Sequence, residues 1–227
     1  MSGLAARPIR DATLRRMTQH DVKPGLGRVV ILNGAPRAGK STIARAVQES
    51  SAELWLNLGL ELFKAATPMR YQPGIGLRPG GERADLEPYV ECLYLAMYES
   101  IAAHSRRGVN VVVDVTHHDS YSRPLSLLPK CARLLAALPV LVVGVRCPLE
   151  VVMERRQRTW GWSYDDDGSV PEPILRWQST VHIPGVYDLE IDTSQTTPDN
   201  AASLIERQLA TGEHGHAVRS LAAMASG

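Results

Sequence analysis

The chain of 227 residues has no cysteine pair, no excess of charge and no long apolar run. Its three cysteines, Cys92, Cys131 and Cys147, are widely spaced and form no C-x-x-C element. They indicate neither a zinc site nor a disulfide framework, and reduced, buried thiols in a cytoplasmic protein are the expectation. With 25 Lys and Arg against 24 Asp and Glu, the net charge is +1. No global field is available to recruit long nucleic acid or a membrane surface. No stretch of 18 apolar residues occurs, so no membrane-spanning helix is expected. Residues 1–27 lack the apolar centre of a secretory signal. Arg7, Arg10, Arg15 and Arg16 there are interrupted by Asp11 and Asp21, unlike a transit peptide. That segment is expected to be a flexible extension. What remains is ordinary globular composition, 44% hydrophobic and 22% charged, enough for one α/β domain with a full core.

Against this background one stretch stands out, Arg28-Val29-Val30-Ile31-Leu32-Asn33-Gly34-Ala35-Pro36-Arg37-Ala38-Gly39-Lys40-Ser41-Thr42. An apolar, β-branched run leads into a glycine-framed loop, and a helical pattern follows. Gly34 to Ser41 matches the phosphate-binding loop G-x-x-x-x-G-K-[ST] at every fixed position. The residue types follow from the chemistry. Glycines let the backbone approach a phosphate without a Cβ between them, and inward N–H groups form an anion nest. The next helix adds its positive end. Residues 34–42 (Gly34, Ala35, Pro36, Arg37, Ala38, Gly39, Lys40, Ser41 and Thr42) are therefore the expected nucleotide-binding set, with ATP as the nucleotide. Lys40 is to reach the terminal phosphates and Ser41 to ligate Mg²⁺.

The rest of the chain reads as alternating strands and helices. Strands are expected at 28–33, 55–58, 109–114, 139–146 and 186–192. Helices are expected at 41–49, 60–66, 89–106, 124–138 (in one or two pieces), 150–158, 171–180 and 198–209. Strands separated by helical crossovers imply a P-loop, three-layer αβα fold with a five-stranded, mainly parallel sheet. The domain is expected to span 28–211, followed by a frayed tail at 212–227. Residues 68–88, dense in Pro and Gly, and the polar, aromatic stretch 159–170 with Trp160, Trp162 and Asp165 to Asp167 are expected to be mobile.

Ligands on such sheets bind beyond the carboxyl ends of the strands. Gly34, Glu61, Asp114, Arg146 and Asp192 are therefore expected to converge. Asp114, ending a strand, is the expected second support for Mg²⁺, with capping of the next segment as the alternative. Arg155, Arg156 and Arg158 precede a Gly-containing stretch, and arginines on such a lid neutralise charge on a transferring phosphate. A solvated helix face is the plainer reading of any one of them. His117 and His118, adjacent in sequence, cannot both face one metal from a regular element, and a loop position near substrate remains open to them. His182 is expected to be structural.

Several of these stretches resemble the chloramphenicol phosphotransferases. The resemblance rests on Ile31-Leu32-Asn33-Gly34 leading into Ala38-Gly39-Lys40-Ser41, on Val143-Gly144-Val145-Arg146-Cys147, and on Val181-His182 with Gly185-Val186-Tyr187-Asp188-Leu189-Glu190-Ile191-Asp192-Thr193. It covers roughly residues 28–195. The resemblance implies a nucleoside-kinase-like fold that moves the ATP γ-phosphate to a hydroxyl of a small, antibiotic-like acceptor. In that family an Asp two residues after a Gly acts as general base. Gly59-Leu60-Glu61 occupies its place, so the role passes to Glu61, a Glu where the family has Asp. With the loop lysine and the lid arginines already read from the residues, the expected catalytic set is Glu61, Lys40, Arg155 and Arg158. Partners are then a small-molecule hydroxyl acceptor, without long nucleic acid or membrane, and the oligomeric state is left open. Two other functions compete: a kinase for nucleosides or nucleic-acid ends, and a non-catalytic nucleotide-binding regulator.

Overall fold

The runs 29–32, 111–113 and 140–143 are apolar at every position, so both faces of the sheet demand cover. The computed structural model describes residues 25–161 and 164–226. Its strands are β1 (Val29–Asn33), β2 (Trp55–Asn57), β3 (Asn110–Val115), β4 (Val140–Arg146) and β5 (Leu189–Asp192). They form one sheet in the order β2-β3-β1-β4-β5, every pair parallel. In register, Val29 lies between Val111 and Val140, and Asn33 between Val115 and Gly144. The expected five-stranded parallel sheet is the observed one.

The helices are α1 (Lys40–Ser50), α2 (Leu60–Ala65), α3 (Glu87–Arg106), α4 (Leu127–Leu135), α5 (Leu149–Trp160), α6 (Glu172–Thr180), α7 (Pro198–Thr211) and α8 (His216–Ala223). Period-two alternation divides the core. Val29, Ile31, Val111, Val113, Val140 and Val142 pack with Tyr94, Met97 and Ile101 of α3, Leu135 of α4 and Val218 of α8. Val30, Leu32, Val112, Leu141, Val143 and Val145 face the opposite way, onto Ile43 and Val47 of α1, Val152 and Met153 of α5, and Ile205 of α7.

Three expectations need correction. Residues 212–227 are not simply a frayed tail, because α8 buries Ala217, Val218 and Leu221 against the sheet. Asp188 explains the docking: one carboxylate oxygen accepts from Ala217 N at 2.9 Å and the other from Val142 N at 2.8 Å. That use of Asp188 also begins the fifth strand at Leu189 rather than at 186. Residues 68–88 are not a loose loop. They form 3₁₀ turns at Met69–Tyr71 and Gly74–Gly76 and bury Ile75, Leu77 and Leu86 in the core. Lastly, the domain starts before residue 28. Gly27 is buried, its N–H bonded to Ser105 O at 2.7 Å and its carbonyl to Ser105 Oγ at 2.5 Å. The rest of the expected N-terminal extension through Pro24, together with Trp162 and Ser163, lies outside the described residues.

Candidate active site

The loop between β1 and α1 is bent by two residues with positive φ, Arg37 at 68° and Gly39 at 97°. The second is easy for glycine. The first is a strained state for arginine, of order 1 kcal/mol, as is common where a loop is shaped to hold a ligand. Helix α1 starts with no side-chain cap and no acidic residue in its first turn. Its first N–H groups and the positive end of its dipole are uncompensated by the protein's own side chains.

Lys40 is buried, and its Nζ donates to the carbonyls of Gly34 and Ala35, each at 2.8 Å. Burial pulls its pKa down to about 8, against the opposing pull of the Asp114 and then the Glu61 carboxylates. A buried ammonium whose charge is held by two carboxylates is poised for an anion. Ser41 Oγ donates to Asp114 Oδ2 at 2.5 Å, so the loop hydroxyl and the carboxylate ending the neighbouring strand meet as a pair of hard oxygens. Gly59 makes room for them: a Cβ there would lie 1.6 Å from Asp114 Oδ1.

These groups open on a cavity of about 1060 Å³. Ala35, Pro36, Arg37, Gly39, Lys40, Ser41 and Thr42 line one side. Gly34 and Ala38 lie behind it, acting through their carbonyls on Lys40 and Thr193. Glu61, on the first turn of α2, lines the cavity with Leu60, Lys64, Gly76 and Arg78. Its carboxylate is mostly exposed and lies 3.5 Å from Lys64 Nζ. Trp177 and Gln178 of α6 form a further wall.

Arg155, Arg156 and Arg158 all reach the cavity. Arg155 is already engaged: Nη1 donates to Thr193 Oγ1 at 3.0 Å and to Arg37 O at 3.3 Å, and Nη2 to Thr193 O at 2.8 Å. It braces the phosphate-binding loop against the turn after β5. Arg158 is exposed and Arg156 buried. Of the five residues expected to converge at the strand ends, Glu61 and Asp114 line the cavity and Gly34 lies just behind it, whereas Arg146 and Asp192 turn away. Arg146 pairs with Glu190 at 2.5 Å, and Asp192 accepts from Ser194 N and Oγ. Both lie toward the edge strand, and Thr193, one residue further on, reaches the loop instead.

The histidines are internal. His117 Nε2 meets Tyr98 Oη at 2.8 Å, and burial drives its pKa down to about 3. His118 is placed between Tyr121 and Trp177, accepts from Ser120 N at Nδ1, and donates from Nε2 to Leu77 O at 3.0 Å. Neither lines the cavity. Among the described residues no group of three His, Cys, Asp or Glu side chains is placed to hold a metal ion. His182 is bonded to Tyr187 Oη at 2.8 Å, a structural contact.

Sequence reading missed Asn33, Arg78, Trp177 and Thr193. Asn33 is a buried hub: Oδ1 accepts from His117 N at 2.8 Å, and Nδ2 donates to Val181 O at 2.8 Å and Tyr187 Oη at 3.1 Å. Only its place at a strand end before the loop could have flagged it. Thr193 had the same signal, whereas Arg78 and Trp177 had none.

A parallel β2-β3-β1-β4-β5 sheet with a phosphate-binding loop after its central strand is the architecture of P-loop kinases. Solved structures agree. The shikimate kinase of Acinetobacter baumannii, in complex with shikimate, superposes with a TM-score of 0.54 at 12% identity, covering 84% of this chain and 96% of that one. The APS kinase of Mycobacterium tuberculosis, in complex with AMPPNP and APS, gives 0.55 at 17% identity, covering 82% and 99%. Residues 27–210 match the family model of the chloramphenicol phosphotransferase-like proteins, and the chain belongs to that family. Two proteins from strains CDC 1551 and H37Rv of Mycobacterium tuberculosis, named as candidate O-phosphotransferases, are each 28% identical over 188 residues, covering 75% of this chain and 76% of theirs. Among the described residues no helix is long and apolar enough to cross a membrane.

Proposed function

We propose that the protein is an ATP-dependent phosphotransferase that moves the γ-phosphate to a hydroxyl of a small molecule, working in the cytoplasm. One observation carries this reading: the buried Lys40 and the Ser41–Asp114 pair share one cavity with a carboxylate, Glu61, on another wall. The nest of loop N–H groups and the start of α1 bind the phosphates, and Lys40 neutralises charge on the terminal ones. Ser41 and Asp114, two hard oxygens already in contact, are the residues that would hold Mg²⁺. When bound, that ion supplies charge neutralisation across the phosphate oxygens.

Glu61 receives the acceptor hydroxyl. As the acceptor oxygen bonds to the γ-phosphorus, the bond from that phosphorus to the ADP oxygen breaks. The hydroxyl proton passes to a Glu61 carboxylate oxygen. Arg158 and Arg156 face the cavity and balance the charge in transit, while Arg155 holds the loop in shape. His117 and His118, adjacent in sequence to the Asp114 strand end, do not line the cavity and are not placed to take that proton.

The test is an ADP-release screen against hydroxylated metabolites, antibiotics and oligonucleotides, run with wild type and Lys40→Ala. An acceptor that raises release well above basal hydrolysis, and that does so only with Lys40 present, supports the reading. Tight ATP binding without acceptor-dependent turnover across the panel points to a nucleotide-binding regulator instead.

A further inference from the structure

The charge of the cavity is lopsided. Lys40 and Lys64 line it, as do five arginines, Arg37, Arg78, Arg155, Arg156 and Arg158. Among the described residues two carboxylates, Glu61 and Asp114, oppose them. Seven basic against two acidic groups leave five positive charges in a chain whose total is +1. A magnesium-bound nucleoside triphosphate brings about two negative charges. About three positive charges then remain on the walls of one cleft, whose summed field favours a further anion.

Arg78 is the member the nucleotide does not account for. It comes from the segment packed on α2: at Gly76 a Cβ would meet Lys64 Cδ at 3.4 Å and Leu60 Cδ2 at 3.6 Å. It thus stands on the wall that carries Glu61. The other arginines of this segment are engaged, Arg83 with Asp85 at 2.7 Å and Arg70 over the Tyr71 ring at 4.7 Å. Arg78 makes no hydrogen bond or ion pair with the described residues.

The backbone around it is nevertheless pinned. Leu77 is buried and its carbonyl accepts from His118 Nε2 at 3.0 Å. Pro79 O accepts from Arg176 Nη1 at 3.3 Å, Gly80 N donates to Ser120 O at 2.7 Å, and Glu82 pairs with Arg176 at 2.9 Å. Across the cavity Arg156 feels Arg78 and Arg37 as like charges, which, after its burial, add to depressing its pKa. Arg78 is exposed, and an unengaged guanidinium on a braced backbone can take an anion in a fork of N–H donors without first breaking a bond of its own.

Resting on the phosphotransferase reading, we propose that the acceptor is itself an anion, a small hydroxyl compound bearing a carboxylate, phosphate or sulfate group bound by Arg78 from the Glu61 wall. The acceptor's charge fills the surplus left after the nucleotide, and its hydroxyl is turned toward Glu61.

Two measurements separate this from the reading beneath it. The first uses protein saturated with Mg²⁺ and a non-hydrolysable ATP analogue, titrated with inorganic sulfate by calorimetry. One sulfate is expected per chain, weakened about 10- to 100-fold by Arg78→Met, restored in part by Arg78→Lys, and unaffected by Arg83→Met, whose guanidinium is already paired. No sulfate binding, or binding indifferent to Arg78→Met, overturns the proposal. The second uses matched acceptors in the ADP-release assay: hydroxy acids against their amides, and alcohol phosphates or sulfates against the parent alcohols. The anionic members should turn over, the best class identifying the group, and Arg78→Met should raise their KM far more than it lowers kcat. Equal turnover of the neutral counterparts overturns the proposal and leaves the phosphotransferase reading standing. Arg78-dependent sulfate binding with no acceptor turnover in any class leaves the anion site standing and removes that reading.

Discussion

Gly59→Ala is a one-methyl test of the metal-holding pair. The backbone at Gly59 has φ −68° and ψ 167°, a conformation open to alanine. By backbone entropy alone the substitution would stabilise the fold by about 0.4–1 kcal/mol. The added methyl, however, would fall 1.6 Å from Asp114 Oδ1 and 2.8 Å from its Cγ. To reach an ordinary contact of 3.4 Å, the carboxylate must retreat by about 1.8 Å. A displacement of that size breaks the 2.5 Å bond from Ser41 Oγ and separates the two oxygens. Losing that bond costs about 1–3 kcal/mol, so after the entropic offset net stability should fall by no more than about 2.6 kcal/mol. Function should suffer more. Disturbing the support of a metal ligand typically lowers metal affinity 10- to 100-fold, so half-saturating Mg²⁺ should rise by that factor. Mg²⁺ titration of ADP release, with thermal melts followed by circular dichroism, reads both quantities. A folded Gly59→Ala protein with wild-type Mg²⁺ dependence refutes the assignment of Asp114 to the metal.

Three other outcomes are expected. Glu61→Gln should lower kcat by ~10²–10⁴ with ATP affinity little changed, and Glu61→Asp should retain part of the activity. An unaltered kcat on an established acceptor removes Glu61 from the proton transfer. Lys40 titrates near 8 in the free site, and bound phosphates favour its charged form. Nucleotide binding should therefore take up protons around pH 8–9 and weaken as pH rises, as calorimetry in buffers of different ionisation enthalpy will show; a proton release there would contradict the buried-ammonium picture. His117, with its pKa depressed to about 3, stays neutral where the unfolded chain's histidines protonate. The unfolded state then binds more protons, so stability is fully present above about pH 6.5 and declines as pH falls toward 3, by about 1 kcal/mol per pH unit. Urea unfolding at pH 7 and pH 5 should show the loss, and His117→Gln should flatten it.

What local sequence could decide here is what depends on neighbours in the chain. The run Val29 to Asn33 and the loop to Ser41 have their form dictated by β-branched packing, glycine geometry and a helix start, all within 15 residues. The parallel sheet followed from strands separated by helices, because such crossovers leave few other arrangements. Long-range pairing decided the rest. Residues 68–88 look loose in composition, yet Ile75, Leu77 and Leu86 find core partners on α3 and β3, and Arg176 and His118, distant in sequence, tie down the turn at 77–82. Helix α8 looks like a weak tail until Asp188 caps it and the sheet covers Val218 and Leu221. The arginines of 155–158 are alike by sequence, and only the turn at Thr193 makes Arg155 a brace while Arg158 faces the cavity. Arg78 carries no motif at all. Its significance arises from charge summed over residues far apart in the chain, a quantity that exists only once the walls of the cavity have met.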